Sequence, residues 1–157
     1  MCKKTLFLAT ILLSFTIISC TNHIVYQNNI NIDNGWHKDS VKVFNVNISD
    51  TVQSYNVIID LRHDNRYPYG NLWLFVRSVS PDSITLTDTI NCILQGDDGH
   101  WIGSGFGSNY NIPFYYMPQI NFSATGNHQF FIEQGMRDDV LEGITGVGLR
   151  IEKVNSQ

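Results

Sequence analysis

Tyr55-Asn56-Val57-Ile58-Ile59-Asp60-Leu61-Arg62 is the stretch on which the fold turns. Tyr55, Val57, Ile59 and Leu61 occupy every second position, with Asn56, Asp60 and Arg62 between them. Successive side chains of a strand point to opposite faces, so a period of two describes a β-strand with one face in a core. Upstream, Phe44, Val46 and Ile48 repeat the pattern, and so do Ile24, Tyr26, Ile30 and Ile32. Downstream, Leu72-Trp73-Leu74-Phe75-Val76 is apolar at every position, which predicts a central strand covered on both faces. Further apolar strings follow at Ile84-Thr85-Leu86, Ile90 to Leu94, Trp101-Ile102, Phe114-Tyr115-Tyr116, His128 to Glu133 and Val147 to Ile151.

Strand breakers separate these strings: Asp33-Asn34-Gly35, Asp64-Asn65, Pro68, Ser80-Pro81-Asp82, Asp97-Asp98-Gly99, Gly103 to Gly107, Pro118 and Gly126-Asn127. Short strands with turns every ~8–12 residues predict an all-β fold, an antiparallel β-sandwich of jelly-roll type. Only Asp138 to Ile144, through Val140, Leu141 and Ile144, has the spacing of a single helical turn. No repeat or low-complexity tract divides the chain, so one domain is expected.

Lys3 and Lys4 precede an apolar run from Leu6 to Ile18, which ends in Ser19-Cys20. That is the layout of a secretory signal peptide, with a cysteine where bacterial lipoproteins are cleaved and acylated. The alternative, an uncleaved anchor, wants roughly 20 apolar residues, and this run is shorter. The expected organisation is a lipoprotein signal peptide over 1–19, a tether and the start of the first strand over 20–34, and a β-sandwich over 35–157, with Cys20 lipidated.

The 157 residues hold 10 Lys and Arg against 14 Asp and Glu, and loss of Lys3 and Lys4 leaves a net charge of −6. Without a basic cluster the chain is unsuited to nucleic acid or to anionic lipid, so lipid on Cys20 must supply membrane attachment. Of three cysteines, Cys2 leaves with the leader and Cys20 takes lipid, which strands Cys92 as a small buried hydrophobe. A disulfide framework is excluded, and so are multi-thiolate metal sites.

Three strings are dense in unusual residues. Leu61-Arg62-His63 with Tyr67-Pro68-Tyr69-Gly70-Asn71-Leu72-Trp73 reads either as a recognition loop or as aromatic filling at the sandwich edge. In Asp97-Asp98-Gly99-His100-Trp101-Ile102-Gly103-Ser104-Gly105, adjacent carboxylates suggest calcium or catalysis. The further oxygen ligands of a calcium loop are missing, however, and Asp-Gly is a hairpin signal. In Glu133-Gln134-Gly135-Met136-Arg137, Glu133 together with Glu142 would form a glycosidase pair only if the two faced each other. Arg137 beside Asp138 and Asp139 reads more simply as a turn held by local ion pairs. No nucleophile elbow, phosphate loop or His-x-x-x-His pair occurs, so neither catalysis nor a metal or other cofactor is expected.

The Cys20 lipobox, Leu61-Arg62-His63, Tyr67-Pro68-Tyr69-Gly70-Asn71-Leu72-Trp73-Leu74, Asp88-Thr89, Gly99 to Gly105, Gln134-Gly135-Met136-Arg137, Leu141 to Ile144 and Val147 to Arg150 together resemble the GldH family, gliding motility lipoproteins of the Bacteroidota. The Tyr-Pro-Tyr-x-Asn-Leu-Trp and Gly-Met-Arg strings are the specific parts. The resemblance implies an envelope lipoprotein that acts with other Gld proteins in movement over surfaces; such homologues also occur in relatives that do not glide. It brings no catalytic residues and no cofactor. Thr21-Asn22-His23 lacks the acidic cluster of some surface-exported lipoproteins, which favours the periplasmic face of the outer membrane.

The expectation is therefore a non-catalytic lipoprotein that docks to gliding or secretion-linked envelope proteins. Aromatic and Arg residues are the usual anchors of interfaces, so the candidate partner surface is Arg62, Tyr67, Tyr69 and Trp73, with Trp101 and Arg137 nearby. Alanine at Tyr67, Tyr69 or Arg137 should then release partners without unfolding the protein. The alternative is a carbohydrate-binding sandwich that stacks sugars on exposed rings.

Overall fold

The computed structural model describes residues 23–154; the expected leader over 1–19 and the expected lipidation site, Cys20, lie outside the described residues. Eleven strands and no helix run through the described residues: β1 (Ile24–Asn31), β2 (Trp36–His37), β3 (Lys42–Ile48), β4 (Tyr55–Asp64), β5 (Asn71–Val79), β6 (Thr85–Ile93), β7 (Ser104–Phe106), β8 (Asn109–Ile120), β9 (Gly126–Gln134), β10 (Val140–Leu141) and β11 (Ile144–Lys153). One sheet has the order β1-β11-β4-β8-β7, the other β3-β9-β5-β6, and β2 pairs with β10. Without the short β2, β7 and β10, β1-β11-β4-β8 over β3-β9-β5-β6 is the strand order of a jelly roll.

The core lies between the sheets. Val57, Ile59 and Leu61 of β4 with Val147, Leu149 and Ile151 of β11 meet Phe44, Val46, Leu72, Leu74, Val76, Phe130 and Ile132 from the facing sheet. Each such side chain, fully buried, contributes ~1.5–3 kcal/mol, so packing carries the stability without a cross-link. Cys92 belongs to this core at 1% exposure, and burial pushes its thiol up to about 12. A thiol held protonated and out of reach is inert. Iodoacetamide at pH 8 should therefore leave Cys92 unmodified in the native protein and alkylate it in denaturant; equal labelling in both would contradict the packing.

The outward face of the five-stranded sheet is also partly closed. Ile58 is fully buried there, between Arg150 of β11 and Tyr115 of β8. Arg150 donates to Asp60 through Nε at 3.0 Å and Nη2 at 3.2 Å, and also bonds Glu152. Asp60 is only 5% exposed, and a buried carboxylate needs such a partner.

Three expectations change. Leu72 to Val76 is a central strand with one covered face: Leu72, Leu74 and Val76 are buried, while Trp73 and Phe75 face outward at 40% and 46% exposure. Full apolarity here reflects an aromatic surface and not a second layer. Residues 138–144 form no helical turn; Val140 and Leu141 pair with His37 and Trp36, which ties β10 over the fully buried Trp36. Pro118 does not end its strand, since β8 runs on to Ile120. Beyond Asn111, β8 pairs only with β4 among the described residues, and an edge tolerates a missing N–H donor.

Candidate functional site

The outward face of β5 supplies the floor of a groove of about 450 Å³, where Asn71, Trp73 and Phe75 alternate with the core residues. Thr89 stands opposite Phe75 on β6 and continues the floor. The wall is the chain leaving β9. Gly135 N donates to Trp73 O at 2.7 Å, which carries the β9–β5 pairing one step past Gln134. A side chain at Gly135 would meet the Phe75 ring at 3.2 Å, so the bare backbone lies directly on that ring. Met136 follows, its Sδ accepting from Trp73 N at 3.4 Å.

This wall is held from behind. Gln134, 3% exposed, accepts from Met136 N at 2.8 Å and donates to Asp138 O at 2.8 Å. Tyr69 donates its hydroxyl to Asp138 Oδ2 at 2.6 Å, and this bond holds the phenol proton and raises its pKa. Asp139 pairs with Lys38 at 2.6 Å. Both carboxylates beside Arg137 are thus engaged elsewhere, and exposed Arg137 on the groove wall has no ion pair among the described residues. The simpler reading of Arg137, a turn fixed by its own neighbours, is overturned.

Of the six candidate surface residues, Tyr69, Trp73 and Arg137 meet in this groove. Tyr67 lies beneath, 2% exposed, its ring 5.7 Å from that of Tyr69 and its hydroxyl donating to Asn71 O at 2.7 Å. Burial raises its pKa well above the ordinary phenol value. It supports the groove and does not line it. Trp101 is half-buried against His63, at 4.6 Å between rings. Arg62 stands on the outward face of the other sheet, where it crosses Gly146 and donates to Asn31 Oδ1 at 2.6 Å. Glu133 lies outward on β9 beside Phe75, and Glu142 lies on the turn before β11 near Arg66. Phe75, Asn71, Thr89 and Met136 lay in the strings quoted from the sequence but were not among the candidate surface residues. The shared parity of Trp73 and Phe75 was the available signal for the first of them.

His63 is the other notable group. It is fully buried, stacked on Tyr110 at 5.2 Å and ringed by Trp101 and Tyr67, and its Nε2 has no hydrogen-bond partner. Desolvation lowers its pKa below the usual 6.5. Below pH 6.5 the unfolded chain binds a proton that folded His63 resists, so stability is full above that pH and falls as pH drops beneath it. The slope is at most ~1.4 kcal/mol per pH unit. His63→Phe should flatten the loss between pH 6.5 and 5 in melting curves; an unchanged slope would contradict a neutral buried imidazole.

With this geometry in hand, the chain can be set beside known proteins. The family profile described as GldH lipoprotein matches residues 24–151. The "Gliding motility lipoprotein GldH" of Flavobacterium johnsoniae is 35% identical over 150 residues, which is 91% of this chain and 93% of that protein. The "Gliding motility lipoprotein GldH homolog" of Christiangramia forsetii is 36% identical over 149 residues, 88% and 91% of the two chains. Among solved structures, that of infectious bursal disease virus Gt strain aligns at 14% identity and a TM-score of 0.28, over 83% of this chain and 36% of that one. A score this low decides nothing.

Proposed function

We propose that this chain, which belongs to the GldH lipoprotein family, serves a gliding-motility or related secretion-linked assembly of the cell envelope as a non-catalytic docking module. It is lipidated at Cys20 and held at the periplasmic face of the outer membrane. The observation that carries the reading is the groove of Tyr69, Trp73 and Arg137, the last with no ion pair among the described residues. Exposed rings beside that guanidinium suit a partner segment that presents an apolar side chain next to a carboxylate.

The placement of the groove supports this. His23 O accepts from Lys153 N at 2.7 Å, so the chain enters at the end of the sandwich formed by residues 49–54 and 121–125. The groove lies at the other end of β9, whose nine residues span roughly 30 Å. A lipid three residues before His23 holds the first end at the bilayer and displays the groove to neighbouring proteins.

The test is co-purification of the lipidated protein with Gld proteins from solubilised envelopes, comparing wild type with Arg137→Glu. Loss of defined partners in the variant, with an unchanged melting temperature, is the expected result; equal recovery would refute the groove. Glycan stacking is the second reading, favoured by the exposed rings of Trp73 and Phe75. It requires Trp fluorescence to respond to polysaccharides, and no response is expected.

A further inference from the structure

The open flank between β6 and β8 carries a second inference, independent of the groove. β6 is an edge strand, paired only with β5 among the described residues. Leu94 N donates to Gly70 O and Ile84 O accepts from Ser80 N, so the backbone of even-numbered residues faces β5. N–H and C=O alternate in direction along a strand. Thr85, Thr87, Thr89 and Asn91 therefore turn their backbone groups to the open side.

Exposed edges are usually blunted by a bulge, a proline or a lysine. β1 has a register shift at Ile24/Tyr26, and β8 contains Pro113 and Pro118. β6 has none of the three across nine residues and its pairing with β5 is unbroken; its one charge, Asp88, has inward parity opposite Val76 and is taken up by Tyr116, so it guards only the strand from there on. Beside it lies an apolar cleft of about 200 Å³ between the sheets, lined by Ile84, Leu86, Met117, Ile120, Phe122 and Phe130. Ile84 and Leu86 are 53% and 52% exposed although Leu86 has the inward parity of Cys92. Tyr116 reaches across the flank to Asp88 and closes it there, which leaves the stretch before Asp88 open.

We infer that this flank receives an extended segment of a partner polypeptide, which pairs with Thr85 and Thr87 and places alternate apolar side chains in the cleft. Cys20 to Asn22 carry no large aliphatic side chain for the cleft, and His23 enters on β1, three strands away from β8. An acyl chain would bury the unpaired backbone groups of β6, which is costly.

The test follows amide hydrogen exchange of the lipidated protein in phosphatidylethanolamine nanodiscs. The probe is a nine-residue peptide that alternates valine with threonine between terminal lysines, compared with a scrambled peptide of the same composition. The alternating peptide should slow exchange at Thr85 and Thr87 at least tenfold, and the scrambled one should not. Leu86→Lys should abolish the effect. Thr87→Pro, which removes only an outward donor, should abolish it without lowering the melting temperature. Arg137→Glu should leave it intact, which separates this flank from the groove. No protection, equal protection by the scrambled peptide, or protection already present without peptide would overturn the inference. The last outcome would mean that bilayer, second copy or chain end covers the edge.

Discussion

Gly143→Ala is expected to cost about 4 kcal/mol or more, against about 1 kcal/mol for Gly99→Ala. The two glycines share φ = +79°, so the conformational penalty of an L side chain is the same at both. Their surroundings differ. A Cβ at Gly99 meets nothing within 4 Å, whereas at Gly143 it would lie 2.1 Å from Tyr67 N and 2.6 Å from Tyr67 Cα. Both neighbours are backbone and cannot rotate aside. Gly143 O also accepts from Asp64 N at 2.8 Å, which pins the β10–β11 turn to the segment leading to Tyr67 and Tyr69. At about 2–4 °C per kcal/mol, calorimetry should show a fall of ~3 °C for Gly99→Ala and of ~10 °C or more, or failure to fold, for Gly143→Ala. Equal shifts would mean that the close approach under the groove is absent.

Trp73→Ala and Arg137→Glu are each expected to weaken partner binding by about 30-fold or more, the effect of losing an interface anchor worth ~2 kcal/mol. Trp73 offers a large, partly exposed ring, and Arg137 offers an exposed guanidinium with no ion pair among the described residues. Arg137→Glu should change stability by no more than ~0.5 kcal/mol, as exposed substitutions usually do. Tyr67→Ala should behave in the opposite way. Its ring is buried and its hydroxyl is spent on Asn71 O, so the variant melts early and loses binding only as a consequence. The sequence-based expectation that Tyr67 could be cut without structural cost does not survive its burial. Titration calorimetry against the isolated partner, beside melting curves, separates the two kinds of residue.

Alternation made β3 and β9 legible, because each buries one face of a simple period-two pattern, and β4 through Tyr55, Val57, Ile59 and Leu61, although Ile58 and Asp60 are buried on its other face as well. It could not show that β11, last in the chain, inserts between β1 and β4, since that pairing depends on contacts distant in sequence. Register shifts in β8 opposite Tyr55, Val57 and Ile58 further blur its parity. At the site, Tyr69, Trp73 and Arg137 were identifiable by residue type, and their convergence is a product of topology. Arg62 shows the limit most plainly. Its parity marked it as opposite to the core side of β4, but only the strand order reveals that this face looks away from β5. Leu72 to Val76 misled because aromatic residues suit an exposed functional face as well as a core.

The most direct measurement is photocrosslinking in intact cells from a benzophenone amino acid placed singly at Tyr69, Trp73 or Phe75, and at Gln27, Asn29 or Tyr115 on the outward face of the other sheet. Discrete adducts with envelope proteins from the first three positions, lost when Arg137→Glu is added and missing from the second three, are the predicted result. Adducts of equal strength from both faces, or none from the groove, would contradict it.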